Sequence, residues 1–147
     1  FKITSLPAIS DDTGLEVDAL NGKPGVYTAR YAGENCSYSD NVNKMLSEMK
    51  DIPDKDRTAT FKTVMAYVDD SVELTCKGIV KGTITRRIKG VGGFGYDSIF
   101  YSNEKNKTFA EMSIEEKNLV SHRSKAITAL KAELATYFNI PNKKESA

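Results

Sequence analysis

Residues 90–97 have the sequence Gly-Val-Gly-Gly-Phe-Gly-Tyr-Asp, and the rest of the chain is organised around this stretch. Four of these eight residues are glycine, and each costs roughly 0.5 to 1 kcal/mol of unfolded-chain entropy relative to alanine. Such a density is expected where the backbone turns sharply or lies against a ligand. Two aromatic rings, a carboxylate and the upstream cations Arg86, Arg87 and Lys89 add the chemistry of a nucleotide or phosphate site. A glycine-rich hairpin connection explains this stretch, taken alone, equally well.

Length and composition predict one soluble domain. The chain has 147 residues, of which 39% are hydrophobic, and its 21 Lys and Arg nearly balance its 20 Asp and Glu. This balance gives no general electrostatic reason to bind nucleic acid or a membrane. Neither a membrane-spanning run nor a signal peptide is recognisable, so we expect a cytoplasmic protein. Cys36 and Cys76 are expected to be free thiols, and the single histidine, His122, excludes a multi-histidine metal site.

An acidic pair follows the first predicted strand. Residues 8–10 predict a short strand, residues 11–14 a polar turn, and residues 15–20 a second strand. Successive side chains of a regular strand point to opposite faces, so Asp11 and Asp12 can serve one site only if the strand ends at them. The alternative is a turn that is rich in Asp and Gly for conformational reasons alone.

Two segments rich in β-forming residues predict a long antiparallel ribbon. Residues 58–68 and 72–76 flank the turn signal at residues 69–71. Gly78 and Gly82 suggest a bulge or bend in the second strand. The ribbon would then deliver the chain to the glycine-rich stretch.

Serine caps predict three helices. Ser39 would cap the first, Ser113 would form a capping box with Glu116 at the second, and Ser121 would cap the last. The polar tail, residues 142–147, is expected to fray.

The last predicted helix carries His122 and Arg123 in its first turn. Cations at this end oppose the helix dipole, a cost that a bound anion or polar ligand would offset. A solvated His-Arg pair is the plainer explanation of these two residues by themselves.

Four motifs occur together and in order: Ser-Asp-Asp-Thr-Gly-Leu at 10–15, Gly-Val-Tyr-Thr-Ala-Arg-Tyr at 25–31, Gly-Gly-Phe-Gly-Tyr-Asp at 92–97, and Glu-Lys at 116–117 followed by Ser-His-Arg at 121–123. In this combination the chain resembles the inosine triphosphate pyrophosphatase family. The resemblance implies Mg²⁺-dependent hydrolysis of deaminated purine nucleoside triphosphates, such as ITP, dITP and XTP, to the monophosphate and pyrophosphate, which keeps miscoding bases out of nucleic acid. It implies an α/β fold with an elongated mixed sheet, a long antiparallel ribbon, flanking helices and two lobes around a nucleotide cleft. It also implies a homodimer.

The resemblance assigns roles to individual residues. Asp12 matches the family's general base and metal-linked aspartate, and Asp11 matches its neighbour, which we expect to support the metal or the water. The substrate positions are Thr13, Phe94, Gly95, Tyr96, Asp97, Lys117, His122 and Arg123. An aromatic ring of the 94–97 run can stack on the purine. Donors among the last three would favour a 6-oxo group over the 6-amino group of adenine.

Two departures from the family pattern are present. Ser98 stands where proline is common in the family. The strand and Thr/Ser-Gly-Asn-x-x-Lys loop that begin family members, and the following metal-associated glutamate, are not in this sequence. We therefore expect residues 1–147 to be a single pyrophosphatase domain lacking its N-terminal phosphate-binding segment, with poor hydrolysis if the molecule begins at Phe1. The alternatives are a catalytically incomplete nucleotide-binding or dimerisation fragment, and a Maf-like pyrophosphatase of other nucleotides, which the Phe-Gly-Tyr-Asp and Ser-His-Arg matches disfavour.

Overall fold

The computed structural model describes residues 1–140, so the tail that was predicted to fray lies outside the described residues. The strands are β1 (Ala8–Val17), β2 (Pro24–Gly25), β3 (Thr58–Val68), β4 (Glu73–Ile84), β5 (Phe100–Ser102) and β6 (Lys107–Thr108). The α-helices are α1 (Tyr38–Glu48), α2 (Ile114–Val120) and α3 (His122–Tyr137). Short 3-10 turns are found at Asp18–Leu20, Thr28–Arg30, Asp54–Asp56 and Phe109–Glu111.

The six strands form one sheet in the order β2-β1-β3-β4-β5-β6. Every pairing between neighbours is antiparallel. The predicted α/β fold with its long antiparallel ribbon is therefore confirmed. Within residues 1–140 the sheet is antiparallel throughout rather than mixed.

β1 is a single uninterrupted strand. It pairs along its whole length with residues 59–68 of β3, so the predicted turn at residues 11–14 is wrong. The ladder with β3 satisfies backbone groups that a turn would leave to solvent, and this outweighs the local turn preference of Asp and Gly. Asp11 and Asp12 consequently project from opposite faces of the sheet.

β3 and β4 form the predicted ribbon. Residues 58–68 pair with residues 73–83 in one unbroken register, so the bulge predicted at Gly78 and Gly82 is wrong. Both glycines instead permit a close approach. A Cβ at Gly78 would collide with the carbonyl oxygen of His122, and one at Gly82 would collide with the backbone of β5. The absence of side chains at these two positions lets α3 and β5 lie directly against the ribbon.

Serine residues cap all three helices. Ser113 and Ser121 are the N-caps of α2 and α3, as predicted. The first helix begins earlier than predicted, because Ser37 rather than Ser39 is its N-cap and forms a capping box with Asp40. The capping box satisfies backbone groups at both ends of the motif, which explains why Ser37 rather than Ser39 caps the helix.

Aromatic residues from several elements fill the main core. The Phe61 ring centroid lies 4.6 Å from that of Phe100 and 6.0 Å from that of Phe109. A smaller cluster at the far end of the ribbon contains Tyr67 and Leu130, which joins α3 to the sheet. The cores therefore hold α3 against the ribbon along most of its length.

Cys36 and Cys76 are free thiols, as expected. Among residues 1–140, no helix has both the length and the apolar character that a bilayer crossing requires.

Candidate functional site

A cavity of about 450 Å³ opens where β1, the glycine-rich stretch and the α2–α3 junction meet. This volume is typical of small-molecule sites, which span about 300 to 1,000 Å³. All eight residues predicted to bind substrate line it: Thr13, Phe94, Gly95, Tyr96, Asp97, Lys117, His122 and Arg123. The lining also includes residues that sequence reasoning missed: Tyr38, Phe61, Phe109, Asn118 and Ser124. Of these, Asn118 could have been inferred from the sequence, because it directly follows the predicted substrate residue Lys117.

The glycine-rich stretch connects the paired strands β4 and β5 and also forms one wall of the cavity. Gly93 and Gly95 have φ angles of 76° and 60°, in the left-handed region that side chains disfavour. A Cβ at Gly93 would also collide with the carboxylate of Asp97. The Oδ2 atom of Asp97 accepts the N–H of Phe94 at 2.9 Å, so the loop closes on its own carboxylate.

Lys117 joins α2 to this loop. Its Nζ donates to Oδ2 of Asp97 at 2.5 Å, and the two side chains are 21% and 5% exposed. The ammonium also lies 5.1 Å from the ring centroid of Phe94 and 5.6 Å from that of Phe109, within the range of cation–π attraction. The carboxylate of Asp97 is therefore engaged by protein donors, and the cation stands beside an aromatic face.

The two aromatic residues of the loop have different environments. Phe94 is 54% exposed, and a flat apolar ring that is open to a cavity can stack on a heterocyclic base. Tyr96 is buried, and its hydroxyl donates to the backbone oxygen of Thr28 at 3.0 Å. Burial raises the pKa of Tyr96, so the hydroxyl stays protonated. Phe94 is thus available to a ligand, while the hydroxyl of Tyr96 braces the loop.

His122 is buried, so a solvated His-Arg pair is wrong for the histidine. Its ring stacks on Phe61 with centroids 4.4 Å apart. Burial, with smaller contributions from the positive charges of Arg123 and Lys117, lowers the pKa of His122 to about 3, and the imidazole is neutral at physiological pH. Its Nδ1 atom has no hydrogen-bond partner within the described part of the chain. The neutral ring therefore brings hydrogen-bonding capacity, without charge, to the cavity wall.

Arg123 reaches from α3 to β1. Its Nη2 and Nε atoms donate to Oδ2 of Asp11 at 2.7 and 3.1 Å. Nη2 also lies 3.4 Å from Oγ1 of Thr13, which is itself 2.7 Å from Oγ1 of the buried Thr63. Asp11 and Thr13 share one face of β1, and both contact the guanidinium.

Asp12 does not line the cavity. Its Oδ1 atom accepts the N–H of Thr13 at 2.9 Å. The condition under which Asp11 and Asp12 would share one site, a strand that ends at this pair, is not met. Within residues 1–140, no three His, Cys, Asp or Glu side chains are grouped closely enough to hold a metal ion. The carboxylate of Asp12 alone would fit a Mg²⁺ that is held mainly by substrate phosphates. This ion is commonly bound through one or two carboxylates and the phosphates themselves.

Residues 1–133 match the model of the Ham1 family. A dITP/XTP pyrophosphatase of Escherichia coli is 48% identical over 132 residues, which are 88% of this chain and 67% of that protein. A dITP/XTP pyrophosphatase of Geobacter sulfurreducens is 49% identical over 134 residues, 90% of this chain and 67% of that protein. The solved structure of the Ham1 protein of Staphylococcus aureus superposes with a TM-score of 0.87 at 44% identity, covering 92% of this chain and 70% of that one.

Proposed function

The chain belongs to the Ham1 family, and from this premise we propose that it hydrolyses deaminated purine nucleoside triphosphates, namely ITP, dITP and XTP, to the monophosphate and pyrophosphate. The names of the Escherichia coli and Geobacter sulfurreducens relatives, both dITP/XTP pyrophosphatases, support this activity. The reaction removes miscoding nucleotides from the pool. The match to the Ham1 family also argues against a Maf-like pyrophosphatase of other nucleotides.

The observation that carries the proposal is the group of hydrogen-bond donors around the exposed ring of Phe94. Nζ of Lys117 and Cζ of Arg123 lie 5.1 and 5.7 Å from the centroid of this ring, and the neutral His122 is also in the cavity wall. A purine stacked on Phe94 would meet N–H donors at its edge. A 6-oxo group accepts hydrogen bonds, whereas the 6-amino group of adenine would bring its own donors against them.

We propose that Asp12 acts as the general base. Hydrolysis to the monophosphate requires a water oxygen to bond to the α-phosphorus while the bond to the pyrophosphate leaving group breaks. A carboxylate can accept the proton of that water. Mg²⁺ would neutralise the phosphate oxygens, and Asp12 is the residue proposed to hold it together with the substrate. This role is supported by the match of residues 10–15 to the family motif.

Other features are part of the same proposal. We propose a homodimer that acts on the cytoplasmic nucleotide pool. A net charge of +1 gives no general electrostatic attraction to the nucleic-acid backbone, which supports a free nucleotide as the ligand. The matched region covers 67% of the Escherichia coli relative, and we propose that the triphosphate-gripping loop expected for the family lies outside this region. Residues 1–147 would then be one pyrophosphatase domain that contributes the base pocket.

Product analysis tests the activity. The protein that carries this chain is incubated with Mg²⁺ and ITP, XTP or ATP, and the nucleotides are separated by ion-exchange chromatography while pyrophosphate is measured by a coupled assay. We expect monophosphate and pyrophosphate in equal amounts, with ITP and XTP favoured over ATP by about a hundredfold or more in kcat/KM. Release of orthophosphate with a diphosphate product, or equal turnover of ITP and ATP, would overturn the proposal.

A further inference from the structure

We propose that Asp11 is a positioning residue that sets purine discrimination by holding Arg123. The inference rests on the proposed function, in which Arg123 donates to the 6-oxo group. It gives Asp11 a different role from the metal or water support expected from its position beside Asp12.

The contact is directed at one side of the guanidinium. Nε and Nη2 both donate to a single oxygen of Asp11, at 3.1 and 2.7 Å, and Nη2 lies 3.4 Å from Oγ1 of Thr13. The hydrogen bonds of Arg123 within the described part of the chain use Nε and Nη2 and leave Nη1 without a partner. Arginine carries two N–H groups on that atom, so the arrangement leaves a pair of donors for a ligand.

A second contact restricts the position of the guanidinium group. The Cζ atom of Arg123 lies 5.7 Å from the ring centroid of Phe94, the ring on which the purine is proposed to stack. The long arginine side chain would otherwise adopt many rotamers, and ordering it on binding would weaken selectivity. Asp11 from β1 and Phe94 from the loop together hold the donors in place before the base arrives.

The strand geometry separates this role from that of Asp12. β1 is continuous, so Asp11 shares a face with Thr13, which lines the cavity, while Asp12 projects from the other face. The ion pair is solvent-exposed, with side chains 37% and 39% exposed. Exposed pairs contribute little to folding stability. Removal of the Asp11 carboxylate should therefore alter recognition while the fold persists.

The test compares selectivity among variants of the protein that carries this chain. For each variant, kcat and KM are measured for ITP and ATP, and the ratio of the two kcat/KM values is the readout. Losing a hydrogen bond to a charged group typically changes affinity about tenfold to a hundredfold. We expect Asp11→Ala to lower the ratio by about tenfold. Asp11→Asn should lower it less, since its amide oxygen still accepts from the guanidinium.

A double variant tests whether Asp11 acts through Arg123. If it does, the variant that combines Asp11→Ala with Arg123→Ala has the same ratio as Arg123→Ala alone. A binding measurement without catalysis supplies a second readout. Calorimetric titration with inosine monophosphate and adenosine monophosphate should show the same loss of preference in Asp11→Ala.

Glu16→Ala is the matched control. Glu16 also lies on β1, is also 39% exposed, and pairs with Lys62 at 2.5 Å on the face away from the cavity. The Glu16→Ala variant should leave the ratio unchanged.

An equal fall in ITP and ATP turnover on Asp11→Ala, with the binding preference intact, would overturn the inference and favour a metal or water role. A wild-type protein that hydrolyses ITP and ATP equally would instead overturn the proposed function itself.

Discussion

Lys117 and Asp97 form an ion pair through a carboxylate oxygen that also accepts a backbone hydrogen bond. The Oδ2 atom of Asp97 accepts from Nζ of Lys117 and from the backbone N–H of Phe94. One carboxylate thus fixes α2 to the loop and also sets the loop's shape. Because the Asp97 side chain is only 5% exposed, loss of its partner would leave a buried charge uncompensated.

A double-mutant cycle should detect this coupling. We expect Lys117→Met to lower the free energy of unfolding by ~2 kcal/mol, because it strands the carboxylate of Asp97. Adding Asp97→Asn removes that charge and should recover about 1 kcal/mol or more of the loss. Urea denaturation of the four proteins measures the cycle. Additive effects of the two substitutions would show that the pair is not coupled in the folded state.

Asp12→Asn should separate chemistry from recognition. We expect turnover of ITP to fall by about a hundredfold or more, the usual contribution of a general base. The ratio of ITP to ATP turnover and the melting temperature should stay close to wild type, because Asp12 does not line the cavity in which the purine base is proposed to bind. Steady-state kinetics on both substrates and a thermal melt provide the measurements. An Asp12→Asn protein with wild-type turnover at neutral pH would remove Asp12 from the mechanism.

Gly78→Ala should damage a site that it does not line. The added Cβ would meet the backbone of His122 and Ala126, which cannot move without shifting α3. We expect a loss of about 1 to 3 kcal/mol in unfolding free energy, as for other overpacked cores, and a reduced preference for ITP. Lys77→Ala, at the neighbouring exposed position, is the control and should stay within about 0.5 kcal/mol of wild type. Equal stability of the two variants would mean that α3 is not held against the ribbon as described.

His122 should make stability depend on pH. It is the only histidine in the chain, and its pKa is lowered from 6.5 to about 3 in the folded protein. Between those values the unfolded chain binds more protons, so the free energy of unfolding falls as pH decreases through this window. We expect a loss of roughly 2 kcal/mol from pH 7 to pH 5. Urea titrations at several pH values should show a flatter dependence for His122→Gln, and parallel curves would refute the assignment.

The candidate site was largely predictable because its residues lie in short motifs whose types match the chemistry. The ring of Phe94 and the cations Lys117 and Arg123 were identified from such runs, and all of them line the cavity. Relationships across the fold were not predictable. Asp11 and Arg123 are 112 positions apart, and local sequence carries no signal that they touch.

The wrong predictions about the fold also arose because local sequence does not identify distant partners. Local turn preference at residues 11–14 was outweighed by pairing with β3, a partner that a local pattern does not identify. Gly78 was assigned to a bulge because a glycine inside a strand has two common causes, and close approach of another backbone is the second. Only the position of α3 decides between them.

The unbroken pleat of β1 has a consequence for how this sequence can diverge. Leu15 and Val17 anchor the strand in the core. Because side chains alternate between the two faces of a strand, these two residues determine which aspartate faces the guanidinium. One residue inserted between Thr13 and Gly14 would turn Asp12 toward Arg123 and Asp11 away from it. Substitutions around this strand can be tolerated one at a time, but a change in its length exchanges both aspartates at once. We therefore expect the spacing from the acidic pair to Leu15 to be invariant among active relatives, however much the lengths of their loops vary.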